Sequence, residues 1–262
     1  MYFIPICVWA WNKLGVDVIC FMPNLPRYKA SDDSLFAVTN KKFALVCNTI
    51  FENGNPNNTI AHFNSPEHKK ATYAQCSRLY GACLDLPEDE VLCIGDVDMA
   101  NFKMPQYEGG FTITGYDLVP EGQYPACYVS AKVKDWRNAF NLNGITYQQA
   151  LDRLLGEDEC QDYRACRWSV DQEQLYKNIS PTQEINLIKR TNGETPFAQN
   201  RVDRTDLHYM DRLDLNIFDA HLWREGYKED NFEKILKLLQ FMYPKENFNW
   251  LVEYQNSYVS LL

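Results

Sequence analysis

The chain has no Cys-x-x-Cys pair, so a zinc cage built from thiolates alone is set aside. Its nine cysteines, at 7, 20, 47, 76, 83, 93, 127, 160 and 166, are odd in number, and most sit inside apolar runs. That is the usage of free thiols in a reducing cytosol, so a cytoplasmic location is expected. No long hydrophobic run occurs. The longest, Met1 to Trp11, breaks at Asn12 and Lys13, well short of the ~20 residues that span a bilayer. It also lacks the basic flank of a signal-peptide core. Positive charge is in the minority, with 26 basic residues against 35 acidic ones and a formal net charge of −9. An extended grip on duplex DNA or an anionic membrane needs the opposite balance. Repeats, low-complexity tracts and linkers are absent too.

What remains is a 262-residue chain with 45% hydrophobic residues, enough to bury one sizeable core. The first third alternates helix and strand signals. Pro5 to Leu14 reads as a helix with proline in its first turn and Gly15 at its end. Val16 to Met22 and Phe43 to Thr49 read as buried strands, and 53–58 as a loop. Between Glu67 and Leu86, the spacing of Cys76, Leu79, Cys83 and Leu86 predicts one apolar helix face. Val91 to Ile94 is a fully apolar strand that runs into Gly95-Asp96-Val97-Asp98. Helix, break, buried strand and acidic turn predict an α/β domain with a mostly parallel central sheet flanked by helices.

The second half is less regular. Strands are expected at 111–114, 127–133, 184–189 and 212–215, and helices at 135–140, 146–155, 171–178 and 230–242. A final helix is expected from Phe248 onward. The expected organisation is a single domain, with a nucleotide-binding half over 1–105 and an irregular acceptor-side half over 106–262.

Asp-x-Asp is weak by itself, since chance supplies about one copy in a chain with this much aspartate. Its position at a strand end raises its interest, because ligands of open α/β sheets bind outside the carboxyl ends of strands. Residues i and i+2 share a face, and Gly95 lets the turn bring both carboxylates together for a hard divalent cation. Two further segments suit such a site. Trp168-Ser-Val-Asp171-Gln172 opens a helix with a carboxylate and an amide, although Asp171 equally suits a helix cap. Phe218-Asp-Ala-His221 ends a short apolar strand with an imidazole. The other histidines, His62, His68 and His208, read as surface or loop residues. Lys132, Lys134, Arg137 and the pair Lys189-Arg190 read as solvated faces. Arg201 and Arg204 lie in a polar loop that suits either a diphosphate or a plain surface connection.

In order and approximate spacing, Leu79-Tyr80, Val91 to Asp98, Trp168 to Gln172 and Asp219-Ala-His221 resemble the GT-A-fold nucleotide-sugar glycosyltransferases, closest in motif to the retaining members. The resemblance spans about residues 1 to 240. It implies a Rossmann-like domain and Mn2+ or Mg2+ held by Asp96, Asp98 and His221. It also implies a nucleoside-diphosphate sugar donor, a UDP-sugar by expectation, contacted by Asp96, Asp98, Arg78 and Lys228. Asp171 and Gln172 would be the catalytic pair at the donor sugar. The acceptor would be a hydroxyl on a glycan or another molecule, a modified nucleobase included. Family members begin with a further strand carrying part of the nucleotide pocket, and this sequence starts just after its place. Two alternatives stand beside it: a haloacid-dehalogenase-like phosphatase, which also puts Asp-x-Asp after a buried strand, and a non-catalytic sugar-nucleotide-binding protein.

Overall fold

A computed structural model describes residues 1–24, 33–66, 70–156, 169–182, 184–190, 201–204, 213 and 215–262. Helix α1 (Ile4–Lys13) carries Pro5 in its first turn and buries every residue from Ile4 to Ala10. Gly15 follows with φ of 80°, a backbone state that glycine adopts without penalty. The chain then forms β1 (Ile19–Pro23), α2 (Asp33–Asn53) and β2 (Thr59–Phe63). The predicted strand at 43–49 is wrong. Those residues lie inside the 21-residue helix α2, whose buried positions Val46, Thr49 and Ile50 recur at helical spacing. A short apolar run carries no period of its own, and length decides between strand and helix.

The helix expected between Glu67 and Leu86 is two pieces. Helix α3 (Lys70–Cys76) tightens into a 3-10 helix over Ser77–Cys83, with Tyr80 off helical geometry, and Leu84 is already extended. Strands β3 (Val91–Ile94) and β4 (Met99–Asn101) flank the acidic turn. Then follow β5 (Phe111–Thr114), β6 (Val129–Lys132), α4 (Val133–Ala139), α5 (Tyr147–Gly156), α6 (Val170–Ile179), β7 (Ile185–Ile188) and β8 (Arg201–Val202). Last come β9 (Asp219–His221), α7 (Glu229–Met242) and α8 (Asn249–Val259). Of the strand predicted at 212–215, Arg212 and Asp214 lie outside the described residues, and Leu215 is in a turn.

The fold is mixed α/β, and the expectation of a mostly parallel sheet is corrected. Strands β1 and β2 pair in parallel; β3-β6-β5-β7 form a four-stranded sheet and β4-β9-β8 a three-stranded one. Ladders β3/β6, β5/β6 and β4/β9 are antiparallel, whereas β1/β2, β5/β7 and β8/β9 are parallel. A parallel neighbour requires a long crossover, and between β5 and β6 the chain makes only a one-turn 3-10 helix before returning. A fully buried run such as Phe111–Thr114 looks the same in either direction.

Two apolar clusters hold these layers. One joins α1 to α7, α8 and the middle of β4 and β9, with Ile6, Ala10, Ala100, Ala220, Ile235 and Leu251 inside it. The other packs the 3-10 helix, α4, α5 and α6 on β3, β5 and β6, around Trp136. Trp136 is fully buried, and its indole N–H donates to the Leu92 carbonyl at 3.1 Å, tying α4 to β3. Each such large buried side chain contributes about 1.5–3 kcal/mol. Arg137, expected in solvent, donates instead to the carbonyls of Ala82, Leu84 and Leu86, closing the end of the 3-10 helix. Lys132 and Lys134 do lie on the surface, on Asp89. No helix among the described residues is long and apolar enough to cross a membrane.

Candidate functional site

The acidic turn is set from beneath by α1. The Cys7 thiol donates to the Val97 carbonyl at 3.2 Å, and Trp11 packs against Gly95. Burial pushes the Cys7 thiol well up, with the Asp98 carboxylate adding to the shift, so it stays protonated and acts as a structural donor. The turn then enters β4, whose register with β9 pairs Met99 with His221, Ala100 with Ala220 and Asn101 with Asp219. The Leu222 N–H donates to the Asp98 carbonyl at 2.9 Å, one step beyond the ladder. That register brings the Asp98 carboxylate to the imidazole: Asp98 Oδ2 lies 3.2 Å from His221 Nε2, across 123 residues of sequence.

Strand β8 completes the group from the other side of β9. Its register places Arg201 opposite Asp219. Two residues further on, Asp203 Oδ2 stands 3.6 Å from His221 Nδ1. Arg204 Nη1 donates to Asp98 Oδ2 at 3.1 Å. Burial would push the Asp98 carboxyl up, but the hydrogen bond and charge of His221 and the Arg204 guanidinium outweigh it and hold it below the ordinary value.

A second ion-pair group adjoins the first. Arg78, on the 3-10 helix, bridges Asp96 and Asp171, with its Nη2 2.5 Å from Asp171 Oδ2. Burial opposes that guanidinium's charge, and the two carboxylates outweigh it, so it stays charged above its ordinary range. Asp171 sits in the first turn of α6, fully buried, and also accepts from Gln75 Nε2 and from the Gln172 N–H, each at 2.9 Å. The Gln172 side chain beside it is half-buried.

Beneath both groups lies a buried anchor. Asp219, with no exposed surface, accepts from Arg190 Nη2 at 2.6 Å and from the Tyr128 hydroxyl at 2.7 Å. The expectation that Arg190 is solvated is therefore wrong: it is 5% exposed. Asn101 stands 3.0 Å from the same hydroxyl, and its buried amide nitrogen has no partner. The hydroxyl has one proton, which goes to the carboxylate. Turning the Asn101 amide over lets its N–H donate to the tyrosine oxygen and satisfies both groups. The anchor ties β4 and β9 to the residue before β6 and to the second residue after β7, so it fixes where His221 points.

The placement of the expected residues is uneven. Asp98 and His221 meet, and Asp96 is close by but committed to Arg78. Lys228 stands apart, 59% exposed and 2.6 Å from Glu225 at the start of α7. His62 is exposed, and His68, His208 and Trp168 lie outside the described residues. Among the described residues no three His, Cys, Asp or Glu side chains are grouped to hold a metal ion. The expected trio is thus met by two of its members.

Those two fit a divalent cation. Ligand atoms about 2.2 Å from one ion and at right angles stand about 3.1 Å apart, close to the 3.2 Å between Asp98 Oδ2 and His221 Nε2. Asp203 stands 3.6 Å from the far imidazole nitrogen, the side on which a ligating histidine commonly carries a carboxylate. A separate open cleft of about 700 Å3, lined by Asp135, Asn138, Asn141, Lys177 and Glu184, lies toward the opposite end of α6 from Asp171.

Comparison of the chain with protein-family models, with curated proteins and with solved structures returns no match. The site therefore speaks through its geometry. Sequence reasoning missed Arg190 and Asp203 as members of it, and left Arg204 open between a diphosphate contact and a surface connection. Their only signal was that they are charged residues flanking short apolar segments, which much of any surface shares.

Proposed function

We propose that the chain is a metal-dependent nucleotide-sugar glycosyltransferase, moving a sugar from a UDP-sugar or related donor to an acceptor hydroxyl with retention. The observation that carries this reading is the meeting of Asp98 and His221 at 3.2 Å beside the strand-end acid Asp96. Asp98 and His221 would hold Mn2+ or Mg2+, leaving its remaining positions to donor phosphate oxygens. When bound, the ion neutralises charge on the nucleoside-diphosphate leaving group. Around it this chain's own residues divide the work. Asp203 orients His221 through its second nitrogen, and Asp219 fixes the strand on which His221 stands. Asp96, the more exposed partner of Arg78, faces the ribose side. Asp171 is fully buried and acts through Arg78, which it holds in place. Gln172 is the member of that pair with surface to offer a sugar.

The test is donor hydrolysis without acceptor, run with UDP-, GDP- and ADP-sugars in Mn2+ and in chelator. Metal-dependent release of nucleoside diphosphate that Asp98→Ala abolishes supports the reading. Failure of every sugar nucleotide to bind in Mn2+ ends it. Binding with neither transfer nor hydrolysis reduces it to a carrier of sugar nucleotides.

A further inference from the structure

Building on the glycosyltransferase reading, we propose that Arg204, not Lys228, receives the donor diphosphate, and that it acts as a latch released when a divalent ion takes Asp98. The resemblance in sequence points to Lys228 for that contact, yet Lys228 stands 59% exposed on Glu225, with no link to the carboxylate–imidazole pair. Arg204 is where the phosphates must come. Its Nη1 is 3.1 Å from Asp98 Oδ2, the same oxygen that faces His221 Nε2 at 3.2 Å.

One carboxylate oxygen cannot serve a guanidinium and a divalent ion equally. The ion carries twice the charge on a smaller radius and so wins the oxygen. Once it does, Arg204 loses its counter-charge and is repelled by the ion beside it. The nearest new negative charge is a phosphate on one of the ion's open positions. A guanidinium meets two phosphate oxygens with parallel N–H donors, which a lysine ammonium cannot do. Arg204 is 21% exposed, so its head reaches the open side of the site without unfolding anything.

The charge inventory agrees. Arg78, Arg190, Arg201 and Arg204 face the carboxylates of Asp96, Asp98, Asp171, Asp203 and Asp219, directly or through His221. A divalent ion at Asp98 adds two positive charges to this group of described residues. An anion is then favoured more than it was before. Metal and diphosphate should therefore bind with positive coupling, and Arg204 is the residue that couples them.

The latch makes a prediction of opposite signs. Removing Arg204 removes a competitor for Asp98, so Mn2+ alone should bind more tightly. It also removes a charge-assisted donor, so nucleoside diphosphate should bind more weakly. Calorimetric titrations of the full chain would measure Mn2+ alone, and then UDP, GDP and ADP singly at saturating Mn2+. Arg204→Ala is expected to bind Mn2+ about threefold tighter and its preferred diphosphate about tenfold weaker or more. Arg204→Lys, with charge but no fork, should return Mn2+ affinity toward wild type and recover only part of the nucleotide affinity. Lys228→Ala should follow wild type in both titrations. Weaker Mn2+ binding by Arg204→Ala, or a nucleotide loss that belongs to Lys228→Ala instead, overturns the proposal. Unchanged nucleotide binding in Arg204→Ala removes the latch and leaves the glycosyltransferase reading standing. Absence of any nucleotide binding by wild type removes both.

Discussion

Asp171→Asn separates a residue that holds the site together from one that acts on a sugar. The native carboxylate receives three donors: Gln75 Nε2 and the Gln172 N–H at Oδ1, each at 2.9 Å, and Arg78 Nη2 at Oδ2, at 2.5 Å. An asparagine keeps the first two by placing its oxygen at the Oδ1 position. Its amide nitrogen then faces the Arg78 guanidinium, donor against donor. The other rotamer satisfies Arg78 and loses both remaining bonds. Either way a buried guanidinium, whose Nε already lacks a partner, is left with Asp96 and the Gly95 carbonyl. Removing one member of a buried ion pair costs about 3–5 kcal/mol, and the surviving Asp96 contact sets the loss at the low end, about 3 kcal/mol. For a chain of this size that is a fall in Tm of roughly 6–12 °C. Urea titration of wild type, Asp171→Asn, Arg78→Met and the double variant would give the loss and the coupling, expected at about 1.5 kcal/mol or more. If Asp171→Asn melts within about 0.5 kcal/mol of wild type while turnover collapses, the carboxylate works on the substrate and the positioning role argued above is wrong.

Two further outcomes are expected. Asp219→Ala leaves Arg190 buried without its counter-charge and should cost about 3–5 kcal/mol, whereas replacing the pair together by Leu and Met should recover most of it; a loss below about 1 kcal/mol for the single variant would contradict the anchor. The Asp98 carboxyl is held below its ordinary value by His221 and Arg204 against the effect of burial, so its contribution is complete above about pH 4 and disappears as pH falls through that lowered value. Acid titration of stability should therefore lose part of its slope below about pH 4 in Asp98→Asn, and an unchanged slope would deny the pairing.

Legibility in the sequence followed the range of the forces involved. The helices α1, α6, α7 and α8 and the strand β3 announce themselves through local pattern: proline at one end, a 3.6-residue stripe, or four apolar residues before an acidic turn. Phe43 to Thr49 misled because an apolar run inside a long helix and a buried strand have the same composition. Strands β4 and β8, three and two residues long, are too short to show any period. Strand direction was hidden for a different reason: it is decided by partners far along the chain. Asp98 could be picked out because it lies in the acidic turn after β3, and His221 because it closes β9. Arg190 and Arg204 could not, since nothing around either residue distinguishes a buried counter-ion from a solvated one. They become readable only once β8 and β9 lie side by side.

The three residues of β9 show why anchor and site belong to one device. Asp219 and His221 are two positions apart and so project to the same side of the strand, while Ala220 between them faces the apolar cluster under α1. Asp219 is held by Arg190 and Tyr128, and His221 by Asp98 and Asp203. A slip of one residue in the β4/β9 register would turn both Asp219 and His221 toward the apolar cluster and bring Ala220 to the site. Ala220 has no surface at all, and a side chain as large as histidine in its place would not fit. The buried ion pair therefore does more than stabilise: it selects the one register in which His221 meets Asp98. A carboxylate with this role is costly to desolvate, and an apolar pair of the same volume could hold the layers equally well. What the apolar pair would lack is direction, since hydrophobic contact tolerates sliding where a guanidinium–carboxylate pair does not. Leu and Met at 219 and 190 should accordingly restore stability without restoring Mn2+ affinity, which makes register, rather than energy, the contribution of that pair.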